Sequence, residues 1–511
     1  MIFKNVLRQL KKKSERGQAM LLIALAFIGL VAFIGLAIDA GILFAHIGHL
    51  RRGVDAAALS AANQIRQNVT LAQQVSSAEE LILLNLPATS PSALSVVVET
   101  CESVPLPPEL DNCEYMGLKR KLARVEAELG VDLAFLPIVG WDHVDIKANA
   151  ISEAASIDLV IVIDNSTSMA YDFPGPTPTN AEIAQCNLDR NCEPFETVRS
   201  SAKTLVSKMY EQYDQVAVVT FNKFAGRITG NPGEADETPL HEADFQLSTN
   251  KAAAIAAIDL MEVYPNVNRG ALCPDWNPPT EPSDPRGCMR TNHAAGLMIA
   301  GMELTSPRAR AESVKVVVLL SDGVANAAYL NNAPFTPYLP IADDWYCPGP
   351  ADPSYWYPRT DGHDGPWCTD GDPYKGYQNP SIGTDADHYN DIRDPDDAAR
   401  FFADWLGCLP AGENDGKCNN NGIGAVLFTI GLGDGVTNRP TGPVAYVGAD
   451  LLRYIARVGY NGQPRFQPDS PCWGISDRTV SCGNYYYAPT PAQLDDVFDE
   501  IANRIFTRLT H

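Results

Sequence analysis

The sequence predicts an α/β fold: a doubly wound, mostly parallel sheet with long loop insertions, preceded by a transmembrane helix and a small strand-containing region. Three observations predict it. Leu159–Ile163, Val216–Phe221, Val314–Leu320 and Ala425–Ile430 are apolar runs that read as strands buried on both faces, with helical patterns between them. Ala19 to Ile38 is a stretch of 20 uncharged residues, which at 1.5 Å per residue spans ~30 Å, the thickness of a bilayer core. The chain has 511 residues, more than one compact domain usually holds.

Residues 1–16 carry six basic side chains and one acidic, although the whole chain has a formal charge of -23. The body is therefore strongly acidic, which excludes nucleic acid as a natural partner. In residues 17–67 the apolar run is longer than a signal-peptide core, and Asp39 interrupts the position where a cleavage site would fall. A retained single-pass anchor is expected, with the basic flank cytoplasmic and the bulk outside, in a periplasm or at a cell surface. Beyond it Leu43, Ile47, Leu50, Val54, Ala57, Ala61 and Ile65 step by three or four, so the helix continues with an apolar stripe. Such a stripe either lies on its own domain or packs against copies of itself or a pilin-like partner.

Residues 68–155 read as a small membrane-proximal region with strands in "SALSVVVET", "RVEAELGVDLAFL" and "VDIKANAISEA". Residues 156–511 carry the strand–helix alternation, with helices expected at Phe195–Tyr210, Asn250–Met261, Asn292–Leu304, Ala398–Leu406, Ala449–Val458 and Gln493–Leu509. Insertions 171–194, 264–290 and 329–393 are rich in Pro, Gly, Asp and Asn and read as loops, the third also rich in Trp and Tyr. The 12 cysteines all follow the anchor and fall in close sequential pairs: Cys101/Cys113, Cys186/Cys192, Cys273/Cys288, Cys347/Cys368, Cys408/Cys418 and Cys472/Cys482. An even number in an exported region reads as disulfides, and neighbour pairing is the simplest scheme. With no C-x2-C spacing, zinc is a weak reading.

The first strand runs into "DNSTS", Asp164 to Ser168. Alone, this stretch is equally a helix cap. Ligands of open α/β sheets bind beyond the carboxyl ends of the strands, however, and two further segments should reach that edge: Arg290-Thr291-Asn292, which opens a helix, and Ser321-Asp322-Gly323, which ends the strand "VKVVVLL". Asp164, Ser166, Ser168, Thr291 and Asp322 are two carboxylates and three hydroxyls. Hard oxygens of this kind suit Mg2+ first, then Mn2+ or Ca2+. With only two anionic ligands the ion would stay electrophilic enough to accept a carboxylate from a protein partner.

D-x-S-x-S after a buried strand, Thr before a helix, and Asp-Gly after a later strand resemble the metal-ion-dependent adhesion site (MIDAS) of von Willebrand factor type A (vWA) domains. "AVLFTIGLGD" and the end "YYYAPTPAQLDDVFDEIANRI" resemble that family's last sheet strand and C-terminal helix. The resemblance implies metal-dependent protein binding with those five residues as ligands. It departs at Thr167, where the family often has Gly. The segment Arg16 to Gln64, with Gly17-Gln18, Asp39-Ala40-Gly41 and Val54 to Leu59, resembles the N-terminal segment of Tad-like (TadG-like) proteins of tight-adherence pilus assembly. That implies pilin-like or Tad assembly partners through the helix. Prepilin-type cleavage after Gly17 would leave Leu22 where such pilins need Glu, so no cleavage is expected. Arg124–Ala155 resembles the membrane-proximal strands of the same family.

The insertions should surround the metal-bearing edge, as a disulfide-stapled recognition cap or as a stabilising lid. "TDGHDG" (360–365) and "DGD" (370–372) do not fit the EF-hand spacing and read as turns. His293 reads as a structural or solvated helix-start residue. No H-E-x-x-H, G-x-x-x-x-G-K-[ST] or G-x-S-x-G is present, so no enzymatic activity is expected.

Overall fold

A computed structural model describes residues 2–65, 69–87, 93–115, 118–171, 178–222, 224–227, 242–263, 291–323, 325, 395–410, 418, 421–437, 448–461 and 470–508. Insertions 264–290 and 329–393, with Cys273, Cys288, Cys347 and Cys368, lie outside the described residues. The chain divides into two compact units, Met1–Ala154 and Ala155–His511.

The first unit begins with one long helix, α1 (Ile2–Asn63), followed by α2 (Leu71–Asn85). The part of α1 from Met20 onward is long and apolar enough to cross a membrane. Three strands, β1 (Leu94–Thr100), β4 (Lys121–Asp132) and β5 (His143–Ala154), form an antiparallel sheet in the order β1-β4-β5. A two-residue ladder, β2 (Glu114–Tyr115) with β3 (Leu118–Lys119), precedes β4. The strand expected through "DLAFL" stops at Asp132, because the chain turns there. α2 starts with a capping box in which Thr70 and Gln73 satisfy each other's backbone N–H groups.

The stripe on α1 is spent inside this unit. Leu50, Val54, Ala57, Ala58, Ala61 and Ala62 are all buried, as are Ala78 and Ile82 on α2. Gly53 permits the close approach, since a Cβ there would stand 3.1 Å from the Ile82 backbone. The small-residue run is thus buried within the unit, where α1 packs against α2, β4 and β5, the first of the two roles the sequence left open.

The second unit is the α/β domain. Its six-stranded sheet has the order β11-β10-β9-β6-β7-β8. The strands are β6 (Ile157–Asp164), β7 (Gln215–Phe221), β8 (Phe245–Ser248), β9 (Val314–Ser321), β10 (Val426–Leu432) and β11 (Tyr485–Ala488). All neighbours are parallel except the edge pair β7/β8. Every residue of β6 and β7 is buried, which is why neither shows polar alternation. Val160 and Val162 face a core with Leu297, Phe402 and Leu452; Leu159, Ile161 and Ile163 face another with Phe195, Leu205 and Phe498.

Six helices stand where the periodicity expects them, within a few residues at either end: α4 (Phe195–Lys208), α5 (Lys251–Asp259), α6 (His293–Leu304), α7 (Pro395–Gly407), α8 (Gly448–Asn461) and α9 (Leu494–Arg508). Three departures are instructive. The insertion 171–194 is not all loop, because Thr179 and Glu182 form a capping box that starts α3 (Asn180–Asp189). The last sheet strand is β11, cut from "YYYA", and not the strand within "AVLFTIGLGD". The edge strand β8 is four residues long, too short to show a period. Disulfides join Cys101–Cys113, Cys186–Cys192, Cys408–Cys418 and Cys472–Cys482.

Candidate metal centre

The sheet winds in both directions from its middle, and the switch lies between β6 and β9. Loops leaving the two strands diverge there and open a crevice at their carboxyl ends. Register, not sequence proximity, brings the two halves together. Ile163 pairs with Leu320, so Asp164 and Ser321 come next side by side. Ser321 Oγ donates to Asp164 Oδ2 at 2.6 Å.

The loop after β6 bears on the choice between a cap and a site. Ser166 occupies the N-cap position of a 3-10 turn, Thr167–Ala170, but its side chain makes no capping bond. Its backbone N–H donates to Asp164 Oδ1 at 2.9 Å, and its Oγ lies 3.1 Å from Ser168 Oγ. Ser168 Oγ in turn donates to Asp322 Oδ1 at 2.8 Å. Asp164, Ser166, Ser168 and Asp322 therefore form one hydrogen-bonded chain across the switch point. Thr167, the departure from the vWA pattern, is accommodated with 2 % exposure.

Thr291 arrives from a third direction. It is buried just before α6, and a Cβ built on Gly323 would stand 3.8 Å from its Oγ1. Asn292 caps α6 by accepting the Ala295 N–H at 3.0 Å, while its own N–H donates to the Asn222 carbonyl at 2.8 Å. Asn222 Nδ2 donates to Asn165 Oδ1 at 2.9 Å, and Asn165 Nδ2 donates to the Glu262 carbonyl at 2.9 Å. These asparagines lock the loops after β6 and β7 and the start of α6 to one another. Sequence reading passed over Asn222 and placed Ser321 at the site edge without a role; the only signal for either was its position at the end of a strand.

Both carboxylates are pushed up from the ordinary aspartate range. For Asp164 the cause is burial, opposed by bonds from Ser321 and Ser166. For Asp322 it is burial and then the charge of Asp164, opposed by Ser168. Two buried carboxyl groups that resist ionising together are held by hydroxyls and one backbone N–H, with no cationic side chain among these bonds. A divalent cation fits this environment, because it would cancel the repulsion and take hard oxygen donors. A serine hydroxyl can turn its proton aside and present a lone pair. His293 is fully buried against Phe221, at 5.2 Å between rings, with neither ring nitrogen hydrogen-bonded among the described residues, and burial pulls its pKa down to about 3, leaving it neutral.

No family model and no curated protein matches the chain. Among solved structures, the vWF domain of the type V pili tip protein Mfa5 from Porphyromonas gingivalis is similar at 14% identity and TM-score 0.33, over 70% of this chain and 97% of that one. The PilB minor pilin from Streptococcus sanguinis is similar at 15% identity and TM-score 0.34, over 81% of this chain and 79% of that one. Proximal thread matrix protein 1 from the mussel byssus, with a zinc-occupied MIDAS motif, is similar at 15% identity and TM-score 0.29, over 69% of this chain and 46% of that one. Likenesses at these scores bear no functional weight, and the case for function rests on the chain's own residues.

Proposed function

We propose that the chain is a membrane-anchored, extracytoplasmic vWA-type binding protein, not an enzyme, that captures a protein partner through a divalent cation, in tight-adherence pilus assembly or surface adhesion. Asp164, Ser166, Ser168, Thr291 and Asp322 would hold the ion, Mg2+ first. Bound there, the ion would supply a Lewis-acidic position for a partner carboxylate. One observation carries the reading: Asp164–Ser166–Ser168–Asp322 form a continuous, oxygen-rich chain across the switch point of the sheet, with Asp164, Ser166 and Asp322 buried and Ser168 half-buried. The D-x-S-x-S, Thr and Asp-Gly resemblance supports it. The Tad-like N-terminal segment supports the assembly context, and the apolar part of α1 supports a retained anchor.

The test is calorimetric titration of the full chain in detergent with MgCl2 and MnCl2. Saturable binding is expected, and Asp164→Ala should remove it. A fluorescent acidic peptide should then bind only with the metal present. Equal metal affinity in wild type and variant overturns the site assignment, and peptide binding undiminished by EDTA overturns the carboxylate mechanism.

A further inference from the structure

The turn between β4 and β5 is an apolar wedge. Residues 133–141 read "LAFLPIVGW", nine positions without a charge, set between Asp132 and Asp142. Three large side chains stand out from it: Ile138 is 84% exposed, Trp141 66% and Phe135 38%. Their exposure does not come from a slack backbone. Leu133 N–H donates to the Asp142 carbonyl at 3.0 Å, Ile138 N–H to Phe135 at 3.2 Å, and Trp141 N–H to Leu136 at 3.2 Å. Gly140, at φ +92°, closes the turn in a conformation that other residues adopt only with strain.

This turn is bolted to the end of the apolar run on α1. The Asp39 carboxylate accepts three successive backbone N–H groups, from Ala134 at 2.7 Å, Phe135 at 3.0 Å and Leu136 at 2.7 Å. Four residues earlier on the same helix face, a Cβ built on Gly35 would stand 3.0 Å from the Phe135 side chain. Between Met20 and Asp39, Gly35 and Asp39 are the buried positions, and the rest of the helix surface is open. Gly35 lies three residues inside the uncharged run ending at Ile38, ~5 Å along the helix axis.

We propose that the β4–β5 turn inserts beside α1 into the outer interfacial layer of the bilayer, with Ile138 and Trp141 in contact with lipid. This rests on the reading of α1 as a retained anchor. If α1 spans, the end of its uncharged run at Ile38 lies near the hydrocarbon boundary, and so does the turn packed on Gly35 and bonded to Asp39. Trp is favoured at that depth, because its ring is apolar and its N–H polar. The wedge has no charge of its own, so its insertion draws on apolar burial and needs no anionic lipid. The clasp also explains how a carboxylate can end an apolar run: three N–H groups take the place of water around Asp39.

The test uses the full chain in phosphatidylcholine liposomes. Subtracting the emission of Trp141→Phe from wild type isolates the Trp141 signal among the seven tryptophans. The expected result is a blue-shifted signal, mostly lost when the lipid carries bromine high on its acyl chains and little affected by aqueous acrylamide. Ile138→Asp should shift it back to the red and restore acrylamide quenching. Replacing part of the lipid by phosphatidylglycerol should change nothing. Quenching by acrylamide and not by bromolipid, in protein that floats with the liposomes and resists carbonate, overturns the wedge and leaves the anchor standing. Protein that fails to float overturns both.

Discussion

Asp39 and the Asp164/Asp322 pair are all buried carboxylates, yet they have opposite surroundings. Asp39 in the first unit accepts three fixed backbone N–H groups, and its charge is matched by donors that cannot turn away. In the second unit Asp164 and Asp322 are joined by rotatable serine hydroxyls and repel one another. The contrast separates a structural carboxylate from an unfinished one. Fixed donors complete a fold; under the proposed function, the movable hydroxyls between the paired carboxylates, beside the one backbone N–H from Ser166, would leave a place for a cation.

The sharpest way to break this contrast is at Asp39. Asp39→Ala leaves three N–H groups without their acceptor, and the turn they belong to should open far more often. Hydrogen exchange at Ala134, Phe135 and Leu136 should speed up by roughly 100-fold, with the second unit unchanged. Unchanged protection there would show that the clasp is not structural.

Asp404 tests the middle ground. It is buried with a single hydroxyl donor, Tyr454, at 2.8 Å. Burial raises it to about 7, with Arg457 and Arg400 opposing only in part. A raised acid keeps its proton when folded and loses it when unfolded. Its stabilisation is therefore whole below the unfolded value and is lost as pH rises through about 7. Melting curves should fall over that range, and Asp404→Asn should flatten the fall; an unchanged slope would mean that Asp404 is ionised when folded.

Smaller effects sharpen the metal side. Ser321→Ala removes the hydroxyl that orients Asp164 and should weaken Mg2+ binding about tenfold in titration, without abolishing it. Asp322→Asn should abolish Mg2+ binding. Without metal it should leave thermal stability intact or raise it by about 1 kcal/mol, since a buried like charge is removed. A clear loss of metal-free stability would instead make Asp322 a structural carboxylate like Asp39.

Much of this was legible in the chain. The apolar runs of β6, β7, β9 and β10 could be read because strands buried on both faces need no alternation, and the long helices because their period is sustained. "DNSTS" read alone was ambiguous, because the same oxygens serve a cap or an ion; the fold adds that Ser166 makes no capping bond. Four-residue strands such as β8 and β11 are too short to carry a period, and α3 lay hidden in a stretch of loop composition.

By itself, then, the sequence determined the long strands and helices, the extent of an uncharged apolar run, and which oxygen-bearing residues stand at strand ends. Tertiary structure alone decided that the Ala57–Ala62 stripe is an internal seam, that Ser321 orients Asp164, and that Asp39 grips a turn nearly a hundred residues away. The physical reason is common to all three. Each depends on which distant segment packs opposite, and local composition carries no record of that partner.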